Sequence, residues 1–305
     1  MSSFFNEVFF DQAMIGVTPI LLAALAGTLS ERVGLFNIAL EGKMLVGAFA
    51  AIAGSYLMGS TAAGVAAAIV ASTAFSALLA FGATVLNGNA IVIGISLNLL
   101  ASGLTSFLLR AVLGTSGTFS DSAMQSLPRL HIPLLADLPM LGRALGEQNV
   151  LIYVSWLLVV VVSVFLAKTS WGLRVRGIGE QPDAAVTLGA DATRYRIVVT
   201  LVAGALCGLA GIQLSLGSVA LFSENMTAGR GWIAVAAVML GRARPLPVAA
   251  ACVLFGLSDA LGLKLQGQGL PNQITDAAPY VVTLIALVVA GLRHRIDGRR
   301  LAIKV

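Results

Sequence analysis

Polar and charged side chains interrupt the apolar segment that begins near residue 36. Asn37, Glu41 and Lys43 lie there, where an ionised group is costly unless it faces protein or water. Asn37 and Glu41 are four residues apart, so a helix would place both on one face. Their chemistry would be hydrogen bonding, and we predict that they line a substrate pathway or pack against other helices. For Lys43 we favour an interfacial position, with the ammonium group reaching water.

Three further polar side chains lie inside apolar runs, at Asn98, Gln213 and Asp259. Amides in lipid often only join two helices by hydrogen bonds worth about 1 kcal/mol, which is the plainer explanation of Asn98 and Gln213. An acid in an apolar run is a functional candidate by default, and this applies to Asp259. The predicted pathway residues are Asn37, Glu41, Asn98, Asn225 and Asp259.

Asn225 is included because its surroundings resemble those of Asn37. Asn225 precedes a Gly-Arg pair at 229–230, much as Asn37 precedes a Gly-Lys pair at 42–43, with a spacing that differs by one residue. In transporters, inverted repeats with broken helices place such polar groups near the substrate. An inverted repeat and a chance match both remain open on these residues alone.

A short helix is predicted inside the most basic internal segment, 168–196. Pro182 suits the first turn of a helix, an Ala-rich stretch follows, and Gly189 is suited to end it. The segment holds Lys168, Arg174, Arg176, Arg194 and Arg196. Basic loops of this kind remain on the cytoplasmic side of a membrane, so we expect the helix there.

The composition indicates that lipid surrounds most of this chain. Hydrophobic residues make up 58% of it, charged residues only 11%, and the mean hydropathy is +0.93. At about 20 apolar residues per crossing, the apolar runs allow about eight to ten transmembrane helices. The net charge of +5 is spread over short loops, which argues against a nucleic-acid surface. We predict an all-α polytopic bundle that forms one transmembrane domain over 1–305.

The apolar runs also predict the topology. The basic C-terminal tail and segment 168–196 should both be cytoplasmic, which places Arg242 and Arg244 inside and the loop 114–149 outside. The 226–241 run is short, so it is either a full crossing or a re-entrant or broken segment. The nine candidate spans are 12–29, 36–58, 61–86, 90–113, 150–167, 197–221, 226–241, 246–264 and 277–292.

Three separated motifs lie at 31–48, 179–189 and 226–234. They read ERxGxxNIxxEGxMLxGA, GEQPDAA with a later Gly189, and MTAGRGWIA. Together they resemble the branched-chain amino acid and simple-sugar permease superfamily of ABC transporters, and most closely its nucleoside subgroup. Ala39 and Ala190 are mild departures from the family pattern.

The resemblance implies a permease subunit that imports a small polar nutrient by alternating access, a nucleoside first and a simple sugar next. It implies three partners: a cytoplasmic ABC ATPase that hydrolyses ATP, a second homologous permease and an external substrate-binding lipoprotein. It also implies a bacterial plasma-membrane location and docking of the 182–188 helix on the ATPase. The predicted coupling residues are Gly179, Glu180, Pro182, Asp183, Ala184, Ala185 and Gly189.

The chain lacks several motifs that other functions need. It contains no Gly-x-x-x-x-Gly-Lys-Ser/Thr phosphate loop, no His-Glu-x-x-His helix, no Gly-x-Ser-x-Gly elbow and no clustered metal ligands. We therefore predict no catalytic residue, no metal and no cofactor on this chain. The alternative is an ion-coupled secondary transporter with Glu41 and Asp259 as coupling acids, which leaves the 179–189 motif without a purpose.

Overall fold

The chain folds into a helical bundle, seen here in a computed structural model that describes residues 7–121, 124–131, 146–217, 220–266 and 281. Those residues form ten α-helices and four short strands, which confirms the predicted all-α polytopic class. The helices are α1 (Glu7–Arg32), α2 (Leu40–Met58), α3 (Thr61–Ala80), α4 (Ala90–Leu113), α5 (Val150–Lys168), α6 (Ser170–Glu180), α7 (Pro182–Thr187), α8 (Ala192–Ser215), α9 (Arg230–Leu240) and α10 (Pro245–Gln266). The strands are β1 (Thr118–Ser120), β2 (Arg129–His131), β3 (Glu147–Asn149) and β4 (Leu221–Ser223).

Six helices of the described chain are long and apolar enough to cross a membrane. They coincide with six predicted spans, which are thereby confirmed as apolar helices, whereas the predicted span 277–292 lies outside the described residues apart from residue 281. A π-helical turn, Phe81–Val85, extends α3. The six are α1, α3 with its extension, α4, α5, α8 and α10.

Helix α2 lies at the centre of the bundle. It packs most extensively against α3 and α8, and its residues from Leu40 to Phe49 are all buried. Glu41 and Lys43 lower its apolarity, yet protein rather than lipid surrounds them. The helix begins at Leu40 rather than at residue 36, because residues 33–39 form an elbow in which Gly34 has a φ of 79°. We call residues 33–39 the elbow.

Small residues let these central helices approach each other closely. A Cβ atom on Gly47 of α2 would lie 2.9 Å from the Cα of Gly208 in α8. Ser72 of α3 donates to the Gly204 carbonyl oxygen in α8 at 2.8 Å, and Ser76 donates to the Thr200 carbonyl oxygen at 2.7 Å. Small residues and side-chain hydrogen bonds are how helices associate in lipid, where no hydrophobic force drives them together.

The 226–241 segment is not a continuous transmembrane helix. Residues 224–229 form turns, and α9 has only 11 residues, so it spans about 16 Å, about half of a bilayer core. The broken form that the sequence left open is therefore the one observed, and a full crossing helix is wrong. Turns and helix together still carry the chain from one end of the bundle to the other, as the predicted positions of Arg242 and Arg244 require.

The two ends of the bundle differ in character. Residues 31–34, 170–190 and 241–244 meet at one end, which we call the basic end. At the opposite end β1 pairs with β4 antiparallel, and β2 pairs with β3 in the connection between α4 and α5. Segment 168–196 and residues 242–244 therefore lie at the same end, as the predicted topology requires.

Candidate functional site

Glu41 caps the short helix α9. Its carboxylate accepts hydrogen bonds from the backbone N–H groups of Gly229, at 2.8 Å, and Gly231, at 2.6 Å. These N–H groups lie at the start of α9. N–H groups at a helix start have no hydrogen-bond partner within the helix, and the helix dipole gives them partial positive charge. A Cβ atom on Gly231 would lie 2.5 Å from the Glu41 Cα. Glycine at this position therefore allows α9 to begin directly against α2.

Arg32 binds the other end of α9. Its Nε donates to the Ala243 carbonyl oxygen at 2.6 Å, and its Nη2 donates to the Arg242 carbonyl oxygen at 3.3 Å. These carbonyl groups follow the C-terminus of α9, where a cation is favourable. Two charged side chains nine positions apart in the first motif thus hold both ends of one helix that lies about 200 residues later in sequence.

Asn37 and Lys43 stabilise the elbow. Asn37 donates from Nδ2 to the Ser30 hydroxyl at 3.1 Å, and its Oδ1 accepts from the Ala39 N–H at 3.2 Å and from the Lys43 ammonium group at 3.3 Å. Lys43 is fully buried, with 0% of its surface exposed. The predicted interfacial position of Lys43 is therefore wrong: its side chain points back to Asn37 in the bundle and does not reach water.

Asn98 joins α4 to the beginning of α2. Its Oδ1 accepts from the Gly42 N–H at 2.8 Å, and its Nδ2 donates to the Ile38 carbonyl oxygen at 3.1 Å. Both ends of the amide thus bind backbone groups of the elbow and the first turn of α2. The geometry matches the plainer interpretation of Asn98, an interhelical hydrogen bond.

The other two predicted pathway residues flank α9. Asp259 of α10 accepts from the Arg230 guanidinium at 3.3 Å, with about a quarter of each side chain exposed. Asp259 also lies beside Gly16, well inside α1. Asn225 is exposed in the turn before α9, with a φ of 56°. Asp259 and Asn225 are thus accessible, whereas Asn37 and Glu41 are buried in contacts with backbone or neighbouring side chains.

The predicted short helix in segment 168–196 is confirmed as α7. It begins at Pro182, none of its residues is buried, and Gly189 follows with a φ of 80°. Leu188 is 88% exposed and Val186 is 55% exposed. Between α6 and α7 lies a groove of about 640 Å³, lined in part by predicted coupling residues. They are Glu180, Ala184, Ala185 and Gly189.

The base of this segment is attached to the bundle. Arg174 donates to the Tyr195 hydroxyl at 3.1 Å, and this hydrogen bond raises the pKa of Arg174. Arg196 donates to the Val33 carbonyl oxygen at 3.4 Å. The 168–196 segment is therefore held against the elbow while its tip projects from the basic end.

Glycine and charge contacts also link α6 to the end of α1. A Cβ atom on Gly179 would collide with the Arg32 carbonyl oxygen and lie 3.0 Å from the Gly34 nitrogen. The Glu180 carboxylate lies 3.8 Å from Arg32 Nη1, with 71% of the Glu180 side chain exposed. All three sequence motifs thus meet through Arg32 and Glu41.

Several residues at this junction belong to the sequence motifs, yet no separate role was predicted for them. They are Arg32, Arg230 and Gly231. A signal was present, because the first and third motifs each combine charged residues with glycines, and small residues allow helices to approach closely while polar groups join them by hydrogen bonds. Only the fold shows that these two motifs touch each other.

Comparison with known proteins places the chain in a family. The branched-chain amino acid transport system permease component family matches residues 9–289. A putative glucose ABC transporter permease of Haloferax volcanii is 34% identical over 310 residues, covering 94% of this chain and 92% of the relative. A nucleoside ABC transporter permease of Lactococcus lactis is 32% identical, with coverages of 92% and 91%.

A guanosine ABC transporter permease of Bacillus subtilis is also 32% identical, with coverages of 90% and 89%. Each relative is matched over nearly its whole length, and the matched region contains the elbow, segment 168–196 and α9. The multi-pass helical bundle described above fits a membrane transport component. The chain belongs to the permease component family of the branched-chain amino acid transport systems, a family of ABC transporter permeases.

Proposed function

We propose that this chain is a permease subunit of an ABC importer for nucleosides, with simple sugars as the second substrate class. The observation that carries the proposal is the exposed helix α7 at the basic end of a membrane bundle, in a chain whose relatives are named nucleoside, guanosine and glucose permeases. The chain has no phosphate loop, so a partner ATPase must supply ATP hydrolysis.

The coupling surface is proposed to be α7 and the groove beside it. Leu188 is 88% exposed and Val186 is 55% exposed, and Leu188 also lines the groove. An exposed apolar surface of this kind beside a groove supports a docking site for a partner. We propose that the basic segment 168–196 faces the cytoplasm, with the ATPase and the basic C-terminal tail on the same side. An external binding lipoprotein and a second permease complete the proposed complex in a bacterial plasma membrane.

The substrate pathway is proposed to pass beside Asp259 and Asn225 rather than beside Glu41 or Asn37. Asp259 lies in the fifteenth position of α10, more than 10 Å from either helix end at about 1.5 Å per residue. An ion pair with Arg230 that is about a quarter exposed at this depth is costly against lipid, and is favourable against water or another polar subunit. Asn37, Glu41 and Asn98 are proposed to shape the pathway indirectly.

The contacts of the two acids weigh against an ion-coupled transporter. A coupling acid must bind and release its ion during each cycle. Glu41 instead accepts two backbone hydrogen bonds, and Asp259 is paired with Arg230. These interactions support a structural role for Glu41, and an ion-coupled transporter would give the exposed helix α7 no role.

Co-purification tests the proposal. The affinity-tagged chain, purified from its native membranes in mild detergent, should retain an ATPase subunit. Leu188→Asp and Ala184→Arg should remove that ATPase without changing the yield of the permease. Leu130→Asp changes an exposed apolar residue of β2 at the opposite end of the bundle and should retain it. A wild-type permease that purifies without any ATPase, yet still supports uptake, would overturn the proposal.

A further inference from the structure

Helix α9 is bounded by strained turns on both sides. Five non-glycine residues of the described chain have a positive φ, and four of them flank α9. Asn225 and Ala228 precede it, with φ values of 56° and 46°, and Arg242 and Ala243 follow it, with values of 52° and 50°. L-residues rarely adopt this conformation, and such strain collects at switch regions. A short helix between two such turns can shift as a rigid body while keeping its own hydrogen bonds.

Side chains of other helices bind both ends of α9, which is not continued as a helix on either side. The Glu41 carboxylate binds its N-terminus and the Arg32 guanidinium binds the carbonyl groups after its C-terminus. The Glu41 end is buried and has two short hydrogen bonds, whereas 21% of the Arg32 side chain is exposed. The Arg32 end is therefore the one that a change at the surface can reach.

Arg32 also contacts the coupling segment. Its carbonyl oxygen touches Gly179, and its guanidinium lies 3.8 Å from the Glu180 carboxylate. A cavity of about 420 Å³ lies at this junction, and its lining includes Met239 of α9 together with Arg32 and Glu180. The cavity leaves room for α6 and α9 to move relative to each other, because close-packed protein interiors otherwise resist such displacement.

We propose that α9 is the moving element of the transport cycle and that Arg32 is the positioning residue that connects it to the coupling segment. This inference rests on the proposed function, since it requires an ATPase bound at α7. Displacement of α6 by the ATPase acts on Gly179 and Glu180, and through Arg32 it shifts the C-terminal end of α9. Glu41 serves as the pivot at the opposite end of α9.

Two helical glycines provide a matched pair of variants. Gly179→Ala places a methyl group against the Arg32 backbone, whereas the same change at Gly103 of α4, which does not line the groove between α6 and α7, meets nothing within 4 Å. The permease is reconstituted into proteoliposomes with the ATPase that co-purifies with it, and nucleoside uptake and ATP hydrolysis are measured together. We expect Gly179→Ala to keep its ATPase but to lower uptake per ATP by about tenfold or more, while Gly103→Ala stays within about twofold.

A labelling experiment reports the motion of α9 directly. Both native cysteines, Cys207 and Cys252, are fully buried, so a maleimide reagent should react mainly with an introduced Met239→Cys. Met239 is 59% exposed. ATP should change its labelling rate by about threefold or more in the wild-type background. The Gly179→Ala background should abolish that response, and the Gly103→Ala background should keep it.

The outcomes separate the two proposals. If the wild-type chain retains no ATPase, the proposed function fails and the inference fails with it. If the wild type is coupled but Gly179→Ala transports normally, or loses uptake only in proportion to lost ATPase, the inference alone is wrong. If Gly179→Ala does not assemble, two other variants decide the question by the same ratio of uptake to ATP hydrolysis. Glu180→Gln removes the ion pair with Arg32, and Arg32→Lys removes the paired contacts with the two carbonyl groups.

Discussion

Replacing Glu41 with glutamine should destabilise the permease strongly. The carboxylate is 9% exposed and accepts hydrogen bonds of 2.8 and 2.6 Å from the first turn of α9. Glutamine keeps one acceptor oxygen, but it turns an amide donor toward the other N–H group and removes the charge. The loss of one charge-assisted bond and of the interaction with the helix dipole amounts to about 2–4 kcal/mol.

Reversible unfolding in mixed micelles, followed by tryptophan fluorescence, measures this change. The predicted loss lowers the folding equilibrium constant by about 25- to 700-fold. Glu41→Asp keeps the charge on a shorter side chain and should fall between the wild type and Glu41→Gln. Glu224→Gln is the matched control, because Glu224 also accepts a backbone N–H group, from Gly117 at 3.2 Å, but at an exposed site. We expect that variant to remain within about 0.5 kcal/mol of the wild type.

A Glu41→Gln permease as stable as the wild type would refute the capping role. Loss of uptake without loss of stability would instead support the sequence-based prediction that Glu41 lines the substrate pathway. If both stability and uptake fall, restoring stability with a tightly bound partner should restore uptake, since the role proposed here acts through the fold.

Three further predictions follow from neighbouring contacts. Gly231→Ala should lower the free energy of unfolding by about 2 kcal/mol or more, because its methyl group would meet the Glu41 backbone, whereas Gly103→Ala meets nothing within 4 Å and should be neutral in the same titration. Arg230→Gln and Asp259→Asn should each destabilise the chain more than the double variant does, because either single change leaves one partly buried charge unpaired. If the losses of the two single variants add up in the double variant, the pairing is contradicted. Leu188→Asp should leave the unfolding curve unchanged, since that side chain is 88% exposed, and a clear loss of stability would mean that it packs within the permease.

The sequence predicted the parts of the fold that depend on local pattern. Long apolar runs predicted α1, α3, α4, α5, α8 and α10, because a helix that crosses a membrane must be apolar along its length. Pro182 and Gly189 gave the bounds of α7, because each restricts the backbone in a known way. The basic loops gave the common end for segment 168–196 and residues 242–244.

The predictions that failed or stayed open depend on contacts between distant residues. Lys43 was predicted to be interfacial because its sequence position near a helix start says nothing about the elbow that folds over it. The choice between packing and the substrate pathway stayed open for Glu41, because its partners, Gly229 and Gly231, lie about 190 residues away. Nothing in the local sequence announces the positive φ values of Arg242 and Ala243, since neither is a glycine or asparagine.

ATP-dependent nucleoside uptake tests the central claim most directly. The chain, assembled in proteoliposomes with its co-purifying ATPase and binding protein, is given radiolabelled nucleoside outside and ATP at the face that carries α7. We predict accumulation against a gradient that requires ATP hydrolysis and stops in the Leu188→Asp variant. Uptake that proceeds without ATP and responds instead to a proton or sodium gradient would contradict the account.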